Sequence, residues 1–252
     1  MARVVTMHSY RGGTGKSSTA ANMALLFAAG GLRVGVLDTD IQSPAVDAIF
    51  GLEPDPSMCT FADYLVGRCE IEDAARPVDG MDLFVVPSRA GLTAINEIMT
   101  SGYDLGLLNE AVLRLTASLA LDVLIMDTHT GINTETVTAV AGSDAMVIVT
   151  RAHRLDLAGA GESVALADRL GCRQRIVVVN MVPEGIEDGD LVPRVEQAYG
   201  LPVAAVLPYV PAMAGPDGAH VFVTADPGHA SAAGYHDINA LVMSDTVCRL
   251  PS

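Results

Sequence analysis

The sequence predicts an α/β fold, a doubly wound and mainly parallel sheet flanked by helices. Short, β-branched apolar runs alternate with helix-like stretches along the chain. Half of the 252 residues are hydrophobic and only 4% are aromatic, a mix that suits buried parallel strands and close helix packing. Because the sequence contains no internal repeat or linker, we expect one domain over residues 1–252.

The strands are predicted from their continuous apolar runs, which are typical of a sheet covered on both faces. In chain order they are 3–8, 33–40, 82–88, 121–131, 145–150, 175–182 and 202–210. Two of these runs, 33–40 and 121–131, contain aspartates near their carboxyl ends. Ligands of such sheets bind beyond those ends, so the polar residues there are the candidates for function.

The helices are predicted from apolar positions that recur on one face. The first, 15–31, ends at Gly30 and Gly31, and the second, 60–67, has Thr60 as a possible N-cap. The others are predicted at 106–120, 157–171 and 190–200 and within 234–250. The Gly-, Pro- and Ala-rich stretch 215–236 is expected to form a mobile loop before the last helix.

The composition bounds the partners of the chain. A net charge of −15 repels polyphosphate, so tight, non-specific DNA binding is disfavoured, and the loosely basic segment 151–175 is interpreted mainly as a solvated helix face. The cysteines form no paired motif, which disfavours zinc, iron–sulfur and disulfide sites; they are Cys59, Cys69, Cys172 and Cys248. With no secretory segment or membrane-spanning run in the sequence, we expect a cytoplasmic protein.

The stretch "GGTGKSS" holds the only lysine of the chain, Lys16, between a predicted strand and a predicted helix. Its glycines let the backbone curl so that N–H groups point inward and form an anion nest at a helix N-terminus. Lys16 can then reach the β- and γ-phosphates of a nucleotide, and the Ser17 hydroxyl can ligate Mg²⁺. The pattern predicts a phosphate-binding loop.

The polar residues at the strand ends fit the same chemistry. Near a triphosphate, Asp38, Asp40 and Asp127 can hold the waters of Mg²⁺ or orient an attacking water. The alternative for Asp38 and Asp40 is capping of the segment that follows. Asn180 can pair with an adenine edge or simply form a turn. His129 can sense pH or contact a γ-phosphate, although we expect it to be a solvated loop residue.

These residues carry a resemblance to the MinD/ParA family of P-loop ATPases. "RGGTGKS" matches the family's KGGxGK[ST] loop except at its first position, "VGVLDTDIQSP" resembles switch I, "VLIMDTHTG" resembles switch II, and "VVVNMV" resembles the adenine-side strand. The resemblance implies a P-loop NTPase-like fold and ATP and Mg²⁺ as cofactors. It also implies a homodimer with two ATP molecules sandwiched at its interface, which hydrolysis releases.

The resemblance also assigns site residues. Lys16, Asp40 and Arg11 are expected to be catalytic: Asp40 positions the lytic water, and Arg11 stands where the family has a lysine that acts across the dimer. An arginine at this position can still neutralise phosphate charge, but its geometry differs from that of lysine, and ATP hydrolysis can be slower as a result. The metal residues are Ser17, Asp38 and Asp127. The nucleotide-binding residues are Gly12, Gly13, Thr14, Gly15, Lys16, Ser17, Ser18, Asn180 and Pro208.

Two function classes are compatible with these residues. The first is an ATPase, slow without a stimulating partner, that switches by dimerisation to position or assemble a cargo protein, DNA or a cellular structure. The second is a metabolic, ATP-dependent carboxylate-activating synthetase of the dethiobiotin synthetase kind, whose substrate pocket the stretch "VVPSRAGLTAINE", with Arg89, can line. An iron–sulfur ATPase is disfavoured by the scattered cysteines. A membrane-targeting helix is poorly supported, since Arg249 is the only basic residue near the end of the sequence.

Overall fold

The computed structural model describes residues 1–53, 55, 57–88, 96, 98, 100, 102, 104–214 and 222–244. Within these ranges the strands form one sheet. They are β1 (Arg3–His8), β2 (Val34–Asp38), β3 (Arg76–Pro77), β4 (Leu83–Val86), β5 (Val123–Asp127), β6 (Ala145–Arg151), β7 (Gln174–Val182) and β8 (Val203–Pro208).

The strand order is β3-β4-β2-β5-β1-β6-β7-β8, and all described pairings are parallel except that of β3 with β4. The sheet is therefore doubly wound and mainly parallel, as predicted. The seven predicted strands are confirmed, although most are shorter than predicted. The predicted strand 33–40, for example, ends at Asp38, where the chain turns. The short edge strand β3 was not predicted.

The described helices are α1 (Lys16–Ala29), α2 (Val46–Ile49), α3 (Phe61–Leu65), α4 (Gly106–Ser118), α5 (Thr134–Ala141), α6 (Arg154–Arg169), α7 (Asp188–Tyr199), α8 (Phe222–Ala225) and α9 (Ala230–Met243), with 3₁₀ turns at Ile71–Ala74 and Pro211–Ala214. The helix predicted at 157–171 begins earlier because His153 caps it: its side chain accepts from the Leu155 amide. In the stretch predicted to be a mobile loop, α8 and the start of α9 are helical, and 215–221 lie outside the described residues. Residues 245–250 of the last predicted helix lie outside them too.

Each strand sends alternate side chains to opposite faces of the sheet. Val123 and Ile125 of β5 enter the core beneath α1 and α9, whereas Leu124 and Met126 enter the core beneath α3 and α4. A further cluster under α6 and α7 covers β6 and β7 on the second face. Burial on both faces explains why the strands contain almost no polar residues before their carboxyl ends.

Parallel strands place their carboxyl ends along one edge of the sheet. β1 lies between β5 and β6, and Asp38 of β2 pairs in register with Asp127 of β5. The polar residues that follow these strands therefore converge in front of the first turn of α1. Among the described helices, none combines the length and the apolar content that a bilayer crossing requires.

Candidate functional site

The glycine-rich loop lies between β1 and α1 and leads directly into the helix. Gly15 is the N-cap of α1 in the left-handed conformation, with φ 80°, and no side chain caps the helix. A Cβ at Gly15 would lie 2.3 Å from the Asn180 side-chain nitrogen, so glycine is required there by space as well as by conformation. The first amides of α1 therefore lack a side-chain partner and face the sheet edge, as an anion site requires.

Lys16 and Ser17 both contact Asp127. The Lys16 ammonium lies 2.7 Å from Asp127 Oδ1, and the Ser17 hydroxyl donates to Asp127 Oδ2 at 2.6 Å. Lys16 and Asp127 are both almost completely buried. The predicted phosphate ligand and two of the predicted metal ligands thus form one cluster, in which Lys16 neutralises the carboxylate.

Asp38 lies beside this cluster and is fully buried. Its carboxylate accepts from the amides of Asp40, Ala45 and Val46. Burial, and after it the negative charge of Asp127, raise the pKa of Asp38 above its ordinary range.

Asp38 and Asp127 are thus two carboxyl groups beside a single ammonium group. An additional cation would relieve their repulsion. With the Ser17 hydroxyl, the oxygen donors fit the hard ligands that Mg²⁺ prefers.

Asp40 is held at the mouth of the same site. Its Oδ1 accepts from the Ser43 amide at 2.9 Å and lies 3.8 Å from His129 Nε2. His129 is only a quarter exposed, and its Nδ1 is 2.8 Å from the Thr130 carbonyl oxygen. The prediction that His129 is simply a solvated loop residue does not describe these contacts, which depend on a loop packing that its neighbours in sequence do not reveal.

Arg11 extends from the loop towards α6. Its side chain is half exposed, and its Nε lies 3.5 Å from the buried Asp156 carboxylate. Arg151 binds the other oxygen of Asp156 at 2.6 Å. Arg11 is therefore at the surface beside the loop, where it pairs with Asp156 on α6 of the same chain.

Asn180 braces the loop. Its side-chain nitrogen donates to the Thr14 carbonyl at 2.9 Å, and its side-chain oxygen accepts from the Met181 amide. The contact predicted with adenine stays a prediction. Pro208 ends β8 at a cleft of about 490 Å³ that also contains Val182, Tyr209 and His229. This cleft begins two residues beyond Asn180.

The remaining predicted loop residues surround the same opening. Gly12 and Gly13 are exposed, with open space where a Cβ would be, whereas Thr14 is buried and its hydroxyl has no partner among the described residues. The Ser18 carbonyl accepts from the Asn22 side chain. The structure therefore brings the predicted loop residues, carboxylates and Asn180 together at one edge of the sheet.

His8 was missed by the sequence reasoning. It ends β1 fully buried, with Nε2 3.0 Å from the Ser163 hydroxyl of α6 and with Nδ1 unpartnered among the described residues. Burial, and then the positive charge of Lys16, lower the pKa of His8 to about 4. The run "RVVTMH" contains no signal that would have distinguished this histidine from an exposed one.

Two cysteines that are separated in sequence become neighbours. α3 and the turn after it bring Cys59 and Cys69 against the same apolar cluster. Burial, and then the adjacent Cys59 thiol, raise the pKa of Cys69 to about 12. No group of three or more His, Cys, Asp or Glu side chains suited to a metal ion occurs within the described ranges.

Known proteins resemble this chain in sequence and in fold. The family model that matches residues 1–239 is described as ParA, NUBPL iron-transfer P-loop NTPase. An uncharacterised ATP-binding protein of Methanocaldococcus jannaschii is 32% identical over 221 residues, which cover 84% of this chain and 76% of that protein. The antiactivator FleN of Pseudomonas aeruginosa is 28% identical over 209 residues, which cover 82% of this chain and 72% of that protein.

A solved structure supports the same assignment at the level of the fold. The septum site-determining protein MinD of Pyrococcus horikoshii, complexed with Mg-ADP, superposes with a TM-score of 0.82. It is 20% identical and covers 97% of each chain, so this likeness shows the fold alone. With the family model matching nearly the whole sequence, the chain belongs to the ParA family of P-loop NTPases, as the resemblance to MinD and ParA predicted.

Proposed function

We propose that this protein is an ATPase that dimerises with ATP and acts as a switch to position or assemble a partner. The observation that carries the proposal is the buried cluster of Lys16, Ser17 and Asp127 in front of an uncapped helix N-terminus. A buried ammonium group that is paired with one carboxylate can exchange that partner for phosphate oxygens without leaving the site. The M. jannaschii relative is named for ATP binding, which supports the same nucleotide here.

The chain's own residues divide the work at this site. Lys16 and the amides of the loop would hold the β- and γ-phosphates, while Ser17, Asp38 and Asp127 would hold Mg²⁺ directly or through water. When bound, Mg²⁺ supplies charge neutralisation at the phosphates. Asp40, at the mouth, would orient the attacking water. The cleft beside Pro208 is large enough for a base, and its lining residue Val182 follows Asn180 by two positions on β7.

The surface around the site supports dimerisation. Large apolar side chains that are 40–56% exposed follow five of the parallel strands: Tyr10, Ile132, Leu155, Ile186 and Tyr209. All five lie at the edge of the sheet that contains the loop. Exposed apolar residues gathered around a polar site are typical of an interaction surface. Arg11 is half exposed at the same edge, where it can reach a nucleotide bound by a second copy.

The proposed partner is a protein. The relative named as an antiactivator supports a role in regulating another component. Non-specific DNA stays a weaker prediction, since Arg151 and Arg175 of the basic segment are paired with Asp156 and Asp168. A cytoplasmic location likewise stays a prediction.

Light scattering coupled to size exclusion tests the switch. We expect a monomer with ADP and a dimer with ATP or a non-hydrolysable analogue. Asp40→Ala should bind ATP and remain dimeric because it cannot complete hydrolysis, and Arg11→Ala should bind ATP as a monomer. Arg169→Ala, an exposed arginine on α6, is the matched control and should behave as wild type. A wild-type protein that binds ATP but stays monomeric would contradict the switch.

Two other activities remain as candidates. Arg89 and most of the stretch expected to line a synthetase pocket lie outside the described residues, and phosphorylation of a small carboxylic acid would be the direct test. Iron transfer, named in the family description, is favoured by one observation, the adjacent thiols of Cys59 and Cys69. Anaerobic reconstitution with iron and sulfide, compared between wild type and Cys69→Ser, tests it by the visible absorption of a bound cluster.

A further inference from the structure

Asn180 lies in a β-bulge of β7, next to the glycine-rich loop. The register of β7 against β8 shifts between Val179 and Val182. Asn180 and Met181 therefore lie together opposite a single residue of β8. Met181 has a φ of 54°, in the left-handed region that residues other than glycine rarely adopt. Such strained conformations persist where the surrounding contacts hold them, and they cluster at functional sites.

The alternation of β7 directs Asn180 to the face of the sheet that α1 covers. Ile176 and Val178 enter the core beneath α1 and α9, and Asn180 is the next residue in this alternation. Val182, two residues further on, enters the core of the opposite face, because the bulge adds one residue. The side chain of Asn180 is therefore on the face that contains the loop, and it is almost completely buried there.

Both polar atoms of the Asn180 side chain have defined partners. Nδ2 donates to the Thr14 carbonyl at 2.9 Å, and Oδ1 accepts from the Met181 amide at 2.9 Å. A carbonyl oxygen only accepts and a backbone N–H only donates, so these two contacts fix the orientation of the side-chain amide. Asn180 also packs closely on the loop, because a Cβ at Gly15 would overlap its side-chain nitrogen.

The bond from Asn180 to Thr14 determines the direction of the next amide in the loop. The Thr14 carbonyl and the Gly15 N–H belong to one planar trans peptide, in which the C=O and N–H groups point in opposite directions. Because Asn180 holds the carbonyl, the Gly15 N–H points to the other side of the peptide, away from Asn180. An anion nest requires this arrangement, since carbonyl oxygens repel phosphate and N–H groups bind it.

We propose that Asn180 is a positioning residue for phosphate, which orients the Thr14–Gly15 peptide so that the Gly15 amide binds a phosphate oxygen of the nucleotide. This inference rests on the proposed function and deepens it, because it gives Asn180 a role that needs no contact with the base. Without the Asn180 donor, the Thr14 carbonyl loses its partner, and the peptide is free to rotate away from the orientation that binds an anion.

Calorimetry with magnesium tripolyphosphate, which carries no base, separates this role from base recognition. In Asn180→Ala, the affinities for tripolyphosphate and for ATP should fall by the same factor, roughly 5- to 50-fold. Asn239→Ala is the matched control, because Asn239 is equally buried and donates to the Met23 carbonyl, also at 2.9 Å. This control should bind both ligands as wild type does. Urea unfolding of both variants establishes that they are folded during the titrations.

The Gly15 amide supplies a second test, which does not depend on how well a variant folds. In ¹H–¹⁵N spectra of wild type, the Gly15 amide proton should move downfield when magnesium tripolyphosphate is added, because a hydrogen bond to a phosphate oxygen deshields it. In Asn180→Ala the same signal should move less at equal saturation. A Gly15 signal that stays in place in saturated wild type would overturn the proposal.

The outcomes separate this inference from the function on which it rests. If wild type binds ATP and tripolyphosphate, and folded Asn180→Ala binds tripolyphosphate equally well, the positioning role is wrong and the proposed function stands. If only the affinity for ATP falls, Asn180 acts on the base, and the positioning role is wrong in the same way. If wild type binds neither ligand, the proposed function fails and the inference fails with it.

Discussion

Replacement of the buried His8 should change how the stability of this protein depends on pH. His8 is fully buried, with one hydrogen bond to Ser163 and a second nitrogen without a described partner. The folded protein therefore resists protonation of this ring, and its pKa is lowered from 6.5 to about 4. His8→Gln removes the titrating group while keeping a polar side chain for Ser163.

The direction and size of the pH effect follow from the pKa of His8 in the unfolded chain and its lowered pKa in the folded chain. Between pH 6.5 and about 4 the unfolded chain binds a proton at His8 and the folded chain does not, so acid favours unfolding. The stabilising contribution is complete above pH 6.5 and is lost as pH falls towards 4. At about 1.4 kcal/mol per pH unit, the loss amounts to about 3 kcal/mol.

Asp38 acts in the opposite direction over part of this range. Its raised pKa means that the folded chain binds a proton that the unfolded chain releases. The contribution of Asp38 to the free energy of unfolding therefore falls as pH rises. The wild-type profile alone would therefore mix the two effects. The difference between wild type and His8→Gln isolates His8, because Asp38 is present in both proteins.

Urea unfolding at pH 7, 6, 5 and 4 measures this difference. We expect the free energy of unfolding of wild type, relative to His8→Gln, to fall by about 3 kcal/mol from pH 7 to pH 4. His236→Gln, at an exposed site, controls for loss of an ordinary histidine and should show no such trend. A constant difference between wild type and His8→Gln across this range would refute the reasoning.

Two further substitutions and one labelling experiment test other parts of the structure. Gly15→Ala forces a side chain into a left-handed backbone and against Asn180, so ATP affinity measured by calorimetry should fall at least about 10-fold; unchanged affinity would contradict the loop geometry. Leu155→Glu places a charge among the exposed apolar residues and should abolish the ATP-dependent dimer in light scattering while the monomer still binds ATP. Cys69 is half-buried, and burial and the adjacent Cys59 thiol raise its pKa to about 12, so it should resist iodoacetamide at pH 7.5 until the chain is unfolded; rapid labelling detected by mass spectrometry would argue against this protection.

The sheet and the loop could be predicted because local patterns determine them. Continuous apolar runs identified the strands, and "GGTGKSS" indicated a turn that only glycines allow, followed by a helix. The aspartates at the ends of β2 and β5 could be placed together because parallel strands share an edge. Their register, Asp38 opposite Asp127, agrees with that expectation.

Other features depend on contacts that the sequence pattern does not contain. α5 was missed because "TETVTAVA" is rich in β-branched residues, which favour strands; its N-cap Asn133, which accepts from the Thr136 amide, supports the helix instead. The bond from Asn180 to the Thr14 carbonyl, the pairing of Arg11 with Asp156 and the approach of His129 to Asp40 each join residues far apart in the chain. Only the packed sheet edge brings them together.

Calorimetric titration of ATP with Mg²⁺ into wild type and Lys16→Ala tests the central claim most directly. Urea unfolding of Lys16→Ala should accompany it, because the variant leaves the buried Asp127 without its counter-charge. Arg169→Ala serves as a control for loss of a positive charge. We predict that wild type binds ATP and that folded Lys16→Ala binds at least about 100-fold more weakly. Equal affinity in folded Lys16→Ala would contradict the assignment of this loop as the phosphate site.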